Sequence, residues 1–192
     1  MRAGFSFDIE PGPLSLQARA VGGDGRIGSP RVLSLTAEEM PAPDGLLVVS
    51  LRWDTQSDLD LHLVLPDGTE VWSGNPNSYD EPRPGEPPDP PDAWMEGGML
   101  DADSNSDCLI DGRRQENVVW QIEPPVGHYL ARVDAFAMCG QSHAYWTVDA
   151  VREGTLLGNA EGVSLPADTD RPHGAGAGVT ALEFDVVMPA AE

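Results

Sequence analysis

The chain has 192 residues, 11 basic against 32 acidic side chains, and a net charge of −21. All eleven basic residues are arginine, which excludes Schiff-base chemistry, pyridoxal phosphate attachment and the P-loop or kinase lysine. So negative a chain repels phosphate and argues against nucleic acid or an anionic membrane as partner, while a hydrophobic content of 40% is enough to build a core.

Glycine and proline supply 21 and 18 residues, well above average usage. No stretch holds a helical apolar period beyond about two turns. The chain therefore reads as all-β, an antiparallel sandwich of jelly-roll or immunoglobulin-like type with few or no helices. No apolar run approaches the roughly 18 residues of a membrane span, so membrane insertion is not expected. Met1-Arg2-Ala3 leads directly into a polar, strand-like segment, and no signal peptide is read in this chain.

Residues 1–40 alternate as strands do: Phe5–Ile9, the turn Pro11-Gly12-Pro13, Leu14–Val21, the turn Gly22–Gly25, and Val32–Thr36. The run through Leu14-Ser15-Leu16 and Ala18-Arg19-Ala20-Val21 to Asp24-Gly25-Arg26 resembles the last strands of a bacterial immunoglobulin-like repeat. Three strands make no sandwich core of their own; they either end a neighbouring domain or dock on the domain C-terminal to them. Residues 41–45 read as a linker, and 46–192 as the sandwich domain.

In that domain Leu46–Trp53 is an apolar strand and Asp58–Leu65 the next, turning at Pro66-Asp67-Gly68-Thr69 into Thr69–Trp72. Asp80–Asp92 holds six prolines and five carboxylates in thirteen residues, and reads as an extended, disordered insertion. Further strands are predicted at Asn117–Glu123, Tyr129–Ala137, Tyr145–Glu153 and Val179–Met188. Glu123–Tyr129 reads as a sandwich corner feeding a strand, and Pro166–Gly178 as a second flexible loop. Cys108 and Cys139 make no CxxC and no zinc set. They either remain two buried thiols or form a disulfide closing a loop of about 30 residues. The disulfide is favoured, because both flank predicted strands in an acidic chain of secreted character.

Two acidic clusters carry the chemistry. In Asp58-Leu59-Asp60-Leu61-His62-Leu63 the period is two, so the leucines face a core and Asp58, Asp60 and His62 face the other way. Side chains two apart on a strand sit about 7 Å apart, close enough for two aspartates to share a cation. The bland alternative is an exposed strand face that is polar because it is wet. The second cluster, Asp101-Ala102-Asp103-Ser104-Asn105-Ser106-Asp107, places oxygen ligands at alternate positions, as a calcium loop does. It is no EF-hand: its sixth position is Ser106 and its twelfth Gly112.

These segments, together with Leu51-Arg52-Trp53, Pro66-Asp67-Gly68, Gly97-Gly98-Met99-Leu100-Asp101-Ala102-Asp103, Glu116-Asn117-Val118-Val119-Trp120 and Pro125-Val126-Gly127-His128-Tyr129, resemble a bacterial family, domain of unknown function 2135 and its relatives. The resemblance covers about residues 46–153. It implies an extracytoplasmic β-sandwich, often appended to larger surface or secreted proteins, and implies no particular activity. The Asp80–Asp92 insertion departs from the family pattern. Together the residues point to Asp58, Asp60, Asp101, Asp103 and Asp107 converging on one or two Ca²⁺ ions, with Asn105, Asp111 and Glu116 as secondary ligands.

Catalysis is the rival. Gly140-Gln141-Ser142-His143-Ala144 only grazes G-x-S-x-G. His62, His128, His143 and His173 show no zinc spacing and read as structural or exposed. Gly174–Gly178 lacks the spacing of a dinucleotide fingerprint, and two carboxylates could serve a glycosidase without the sequence selecting which. No catalytic residue is assigned, and a hydrolase is the least favoured reading. Trp53 and Trp120 read as core; Trp72, Trp94 and Trp146 are candidate sugar platforms. The expectation is thus a non-catalytic, monomeric, calcium-binding module that serves in adhesion, in binding a protein or glycan ligand, or as a spacer. A carbohydrate-binding accessory module is the alternative.

Overall fold

The computed structural model describes residues 12–37, 43–82 and 84–188, and the chain divides into two compact units, Met1–Pro41 and Ala42–Glu192. In the first, β1 (Gly12–Ala18) and β2 (Arg31–Ala37) form an antiparallel pair registered from Gly12 opposite Ala37 to Ala18 opposite Arg31. The predicted strand Phe5–Ile9 lies outside the described residues, and so do Pro41 and Ala42 of the predicted linker.

The second unit is an all-β sandwich. Its strands are β3 (Leu47–Trp53), β4 (Asp58–Val64), β5 (Glu70–Val71), β6 (Met99–Leu100), β7 (Gln115–Trp120), β8 (Gly127–Ala137), β9 (Ala144–Arg152), β10 (Thr155–Ser164) and β11 (Val179–Val186). One sheet runs β10-β9-β3-β7-β6 and the other β11-β8-β4-β5, every pairing antiparallel. Between them the alternate residues of each strand interdigitate: Leu47, Val49 and Leu51 from β3 meet Leu59, Leu61 and Leu63 from β4, with Trp120, Tyr129 and Val133 filling the layer. Each buried leucine contributes about 1.5–3 kcal/mol, and this is what holds the rest of β4 in its place. Short 3₁₀ turns at Ala93–Glu96, Ser106–Cys108 and Pro166–Asp170 are the helical elements among the described residues.

The predicted turn after β4 closes through Gly68 N–H to Leu65 C=O at 2.9 Å, with Gly68 at φ +90°, where a side chain would be strained. The predicted corner is built around Tyr129, whose buried ring donates its hydroxyl to Pro125 C=O at 2.7 Å, the arrangement of a tyrosine corner.

Two elements depart from the sequence reading. The strand β10 is not among the predicted ones; its Gly158, Asn159 and Gly162 are poor strand formers. It forms because the Glu153-Gly154 turn folds it back on β9, and Gly162 opposite Trp146 leaves room for the indole; a Cβ there would meet the ring at 2.2 Å. Pro166–Gly178, predicted as a flexible loop, begins instead with a 3₁₀ turn fixed by Leu165 N–H to Asp168 Oδ2 at 2.8 Å. It carries His173 to the outer face of β8.

Candidate metal site

The alternation in β4 is as expected, but its polar face is not wet. Asp58, Asp60 and His62 are all buried, almost as fully as the leucines between them. Three segments cover that face. The acidic loop 101–112 lies against Asp58, Trp72, just after β5, stacks on His62, and His173 reaches Asp134 on β8, directly opposite Asp60 in the ladder.

The acidic loop is fastened at three points. Asn105 Nδ2 donates to Ser57 C=O at 3.0 Å and its Oδ1 accepts Asp111 N–H at 3.2 Å. Ser104 donates its Oγ to Gln115 C=O at 2.7 Å and its N–H to Glu116 Oε1 at 2.9 Å. Cys108 is disulfide-bonded to Cys139, just past β8, whose Ala137 stands opposite Asp58. Asn105, Asp107 and Cys108 all have positive φ, a tight coil that needs such fixing.

The result brings members of both acidic clusters together. One carboxylate oxygen each from Asp58, Asp60 and Asp103 lie within 4.8 Å of one another, Asp103 exposed to solvent and the other two buried. Both oxygens of Asp58 are buried without a hydrogen-bond partner of good geometry, although the backbone N–H groups of Asp107 and Cys108 face the carboxylate and favour its charge. Among the described residues no arginine pairs with Asp58, Asp60 or Asp103. Burial first, and then the charge of Asp103, push the Asp58 carboxyl up to about 7. Burial and then Asp58, Asp103 and Asp134 push Asp60 up to about 8, with His173 acting the other way. Such a group resists ionising unless a cation joins it.

The other expected ligands divide. Glu116 adjoins the cluster, where it feels the charges of Asp60 and Asp103, but each of its oxygens already accepts a backbone N–H, from Leu61 and Ser104. Burial holds its carboxyl well above the usual range despite those bonds. Asp107 lies near Asp58 without being one of the three clustered carboxylates. Asp101 is engaged by Asn117, whose N–H and Nδ2 donate to it at 2.9 and 2.8 Å. Asn105 is spent on fastening the loop, and Asp111 accepts Arg113 N–H at 2.8 Å in an exposed turn.

Sequence reasoning misses four neighbours. Asp134 is buried, and one of its oxygens groups with Asp60 and His62 within 4.8 Å; the lone acid amid the apolar alternation of β8 is the available signal. His62 and His173, which read as structural or exposed, both reach the site, and Glu70 lies 3.0 Å from His62 Nδ1. Of the candidate sugar platforms, Trp146 is only 6% exposed and belongs to the core, its Nε1 donating to Ser164 Oγ at 3.2 Å. Trp72 stacks on His62 with centroids 5.1 Å apart. Trp94 is 48% exposed on the turn before β6. A cavity of about 70 Å³ beside Asp134 is far smaller than the roughly 300–1,000 Å³ of small-molecule pockets.

No family model, curated protein or solved structure matches the chain.

Proposed function

We propose that this protein is a non-catalytic, extracytoplasmic β-sandwich module that binds Ca²⁺ through Asp58, Asp60 and Asp103, and that it serves adhesion, ligand binding or spacing within a larger surface or secreted protein. The observation that carries this reading is Asp58, 1% exposed, with neither carboxylate oxygen partnered and two further carboxylates beside it. Buried anions are paired or coordinate metals, and three carboxylates offer only hard oxygen, the donor that Ca²⁺ takes six to eight of at about 2.3–2.6 Å. Exposed Asp103 gives the ion a way in, and water completes the shell. The disulfide supports an oxidising compartment.

The test is calorimetric titration of metal-free protein with Ca²⁺, read alongside the melting temperature. Ca²⁺ at about a hundred times its Kd stabilises by about 2.7 kcal/mol, a rise of roughly 5–10 °C for a domain of this size. No heat of binding and no rise in melting temperature would dismiss the reading.

A further inference from the structure

Beside the calcium group stands a second constellation whose donors differ in kind. His62 is buried to 1% exposure, stacked flat against Trp72, with Nδ1 3.0 Å from Glu70 Oε1. Glu70 is itself held in place, by Gly176 N–H on Oε2 at 2.7 Å and by Arg132 on Oε1 at 3.4 Å. An ionised carboxylate only accepts hydrogen bonds, so Nδ1 carries the proton and the lone pair of the neutral ring sits on Nε2. That nitrogen is buried and has no partner. A ring nitrogen of His62 and one oxygen each of Asp60 and Asp134 lie within 4.8 Å of one another. Asp134 is positioned in turn by His173 Nδ1, 2.7 Å from its Oδ2.

We propose that Asp60, His62 and Asp134 form a second cation site, specific for a borderline transition metal and best suited to Zn²⁺, which shares Asp60 with the calcium group. The carboxylate behind the histidine is the usual support of a metal-ligating imidazole, fixing its tautomer and aim. One imidazole and two carboxylates offer a nitrogen and two oxygens, ligand types that Zn²⁺ takes, with a position left for water; a hard, oxygen-seeking Ca²⁺ has no use for the nitrogen. A purely structural histidine would be expected to spend both ring nitrogens on hydrogen bonds when buried, and His62 spends one. Asp60 between the two groups places two cations side by side on the outer face of β4, one chosen by oxygen and one by nitrogen.

His62, and not the calcium group, carries this second site, and the experiment keeps the two apart. Calcium-saturated protein is titrated with Zn²⁺ in a calorimeter, and the ¹⁵N resonances of the His62 ring are followed in the same titration. One further equivalent of zinc is expected, with a shift of the His62 Nε2 resonance. His62→Gln should weaken zinc at least about 100-fold while leaving the calcium-induced rise in melting temperature intact, and Asp103→Asn should do the reverse. Zinc that fails to bind, or binds with the His62 resonances unmoved, overturns the second site whatever calcium does. The resonance measurement needs no variant, so a misfolded His62→Gln does not block the test. Calcium that fails while zinc still moves His62 overturns the calcium reading alone.

Discussion

Glu116 Oε2 accepts the N–H of Leu61 at 2.8 Å, so a side chain from one sheet completes the backbone hydrogen bonding of a strand in the other. The reason is that β5 pairs with Leu63 and Val64, and among the described residues no strand lies along the first half of β4 on that edge. With Ser104 N–H on its other oxygen, Glu116 also joins β4 to the acidic loop. Glu116→Gln turns an amide NH₂ towards one of these donors and leaves a buried N–H unsatisfied, a cost of about 1–3 kcal/mol. A fall in melting temperature of several degrees is expected, with calcium binding weakened. Unchanged stability would show that the carboxylate closes nothing.

The unpartnered carboxylates make a prediction of opposite sign in two media. In chelator, Asp58→Asn removes one of the crowded charges and should raise the melting temperature; in calcium the same variant should forfeit most of the ion's stabilisation. Thermal scans of both proteins in both buffers therefore cross over. Parallel shifts in the two buffers would mean that Asp58 is not a ligand.

The pH dependence of metal-free protein follows from the same pair. Folded, Asp58 titrates near 7 and Asp60 near 8, against an ordinary 3.8. Between about pH 4 and 8 the folded chain therefore holds protons that the unfolded chain releases. Stability from these groups is full below that window and is lost as pH rises through it, by about 1.4 kcal/mol per unit for each group. Glu116 and His173, both raised, act in the same sense; His62, lowered by burial, opposes them. In chelator the melting temperature should be higher at pH 5 than at pH 8, and calcium should flatten the difference. A curve that rises from pH 5 to 8 in chelator would contradict this.

Asp101 supplies the contrast. It belongs to the same acidic run as Asp103, yet both its oxygens are taken by Asn117. Asp101→Ala should cost roughly 1–2 kcal/mol of stability and leave calcium affinity within a factor of two or three; a large loss of affinity would return it to the ligand set.

The disulfide yields the last prediction. Reduction, or Cys139→Ser, releases the acidic loop from the end of β8. A loss of about 3–4 kcal/mol is expected, and Asp103 is no longer held against Asp58, so calcium should bind more weakly. Equal affinity in reduced and oxidised protein would show that Ser104 and Asn105 alone position the loop.

Much of this molecule is legible from alternation. Leu59, Leu61 and Leu63 announce β4, and the same period tells which side the aspartates take. The two acidic runs meet at Asp58, Asp60 and Asp103, as their chemistry suggests. What alternation cannot tell is what lies over a strand. The outer face of β4 is dry because loops distant in sequence cover it, and nothing local to His62 or Asp134 announces that cover. Likewise β10 is hidden because its glycines serve the ring of Trp146 on the neighbouring strand, and a single segment does not show its neighbour's needs.

Burial on both faces of β4 has a final consequence. If β4 slipped by one residue against β8, Asp58, Asp60 and His62 would enter the leucine layer, and the leucines would enter the carboxylate layer. Neither layer tolerates the exchange, so the strand has one acceptable register. The side chains that make this face costly to bury are thus the ones that forbid mispairing, a discrimination that an uninterrupted apolar strand would lack.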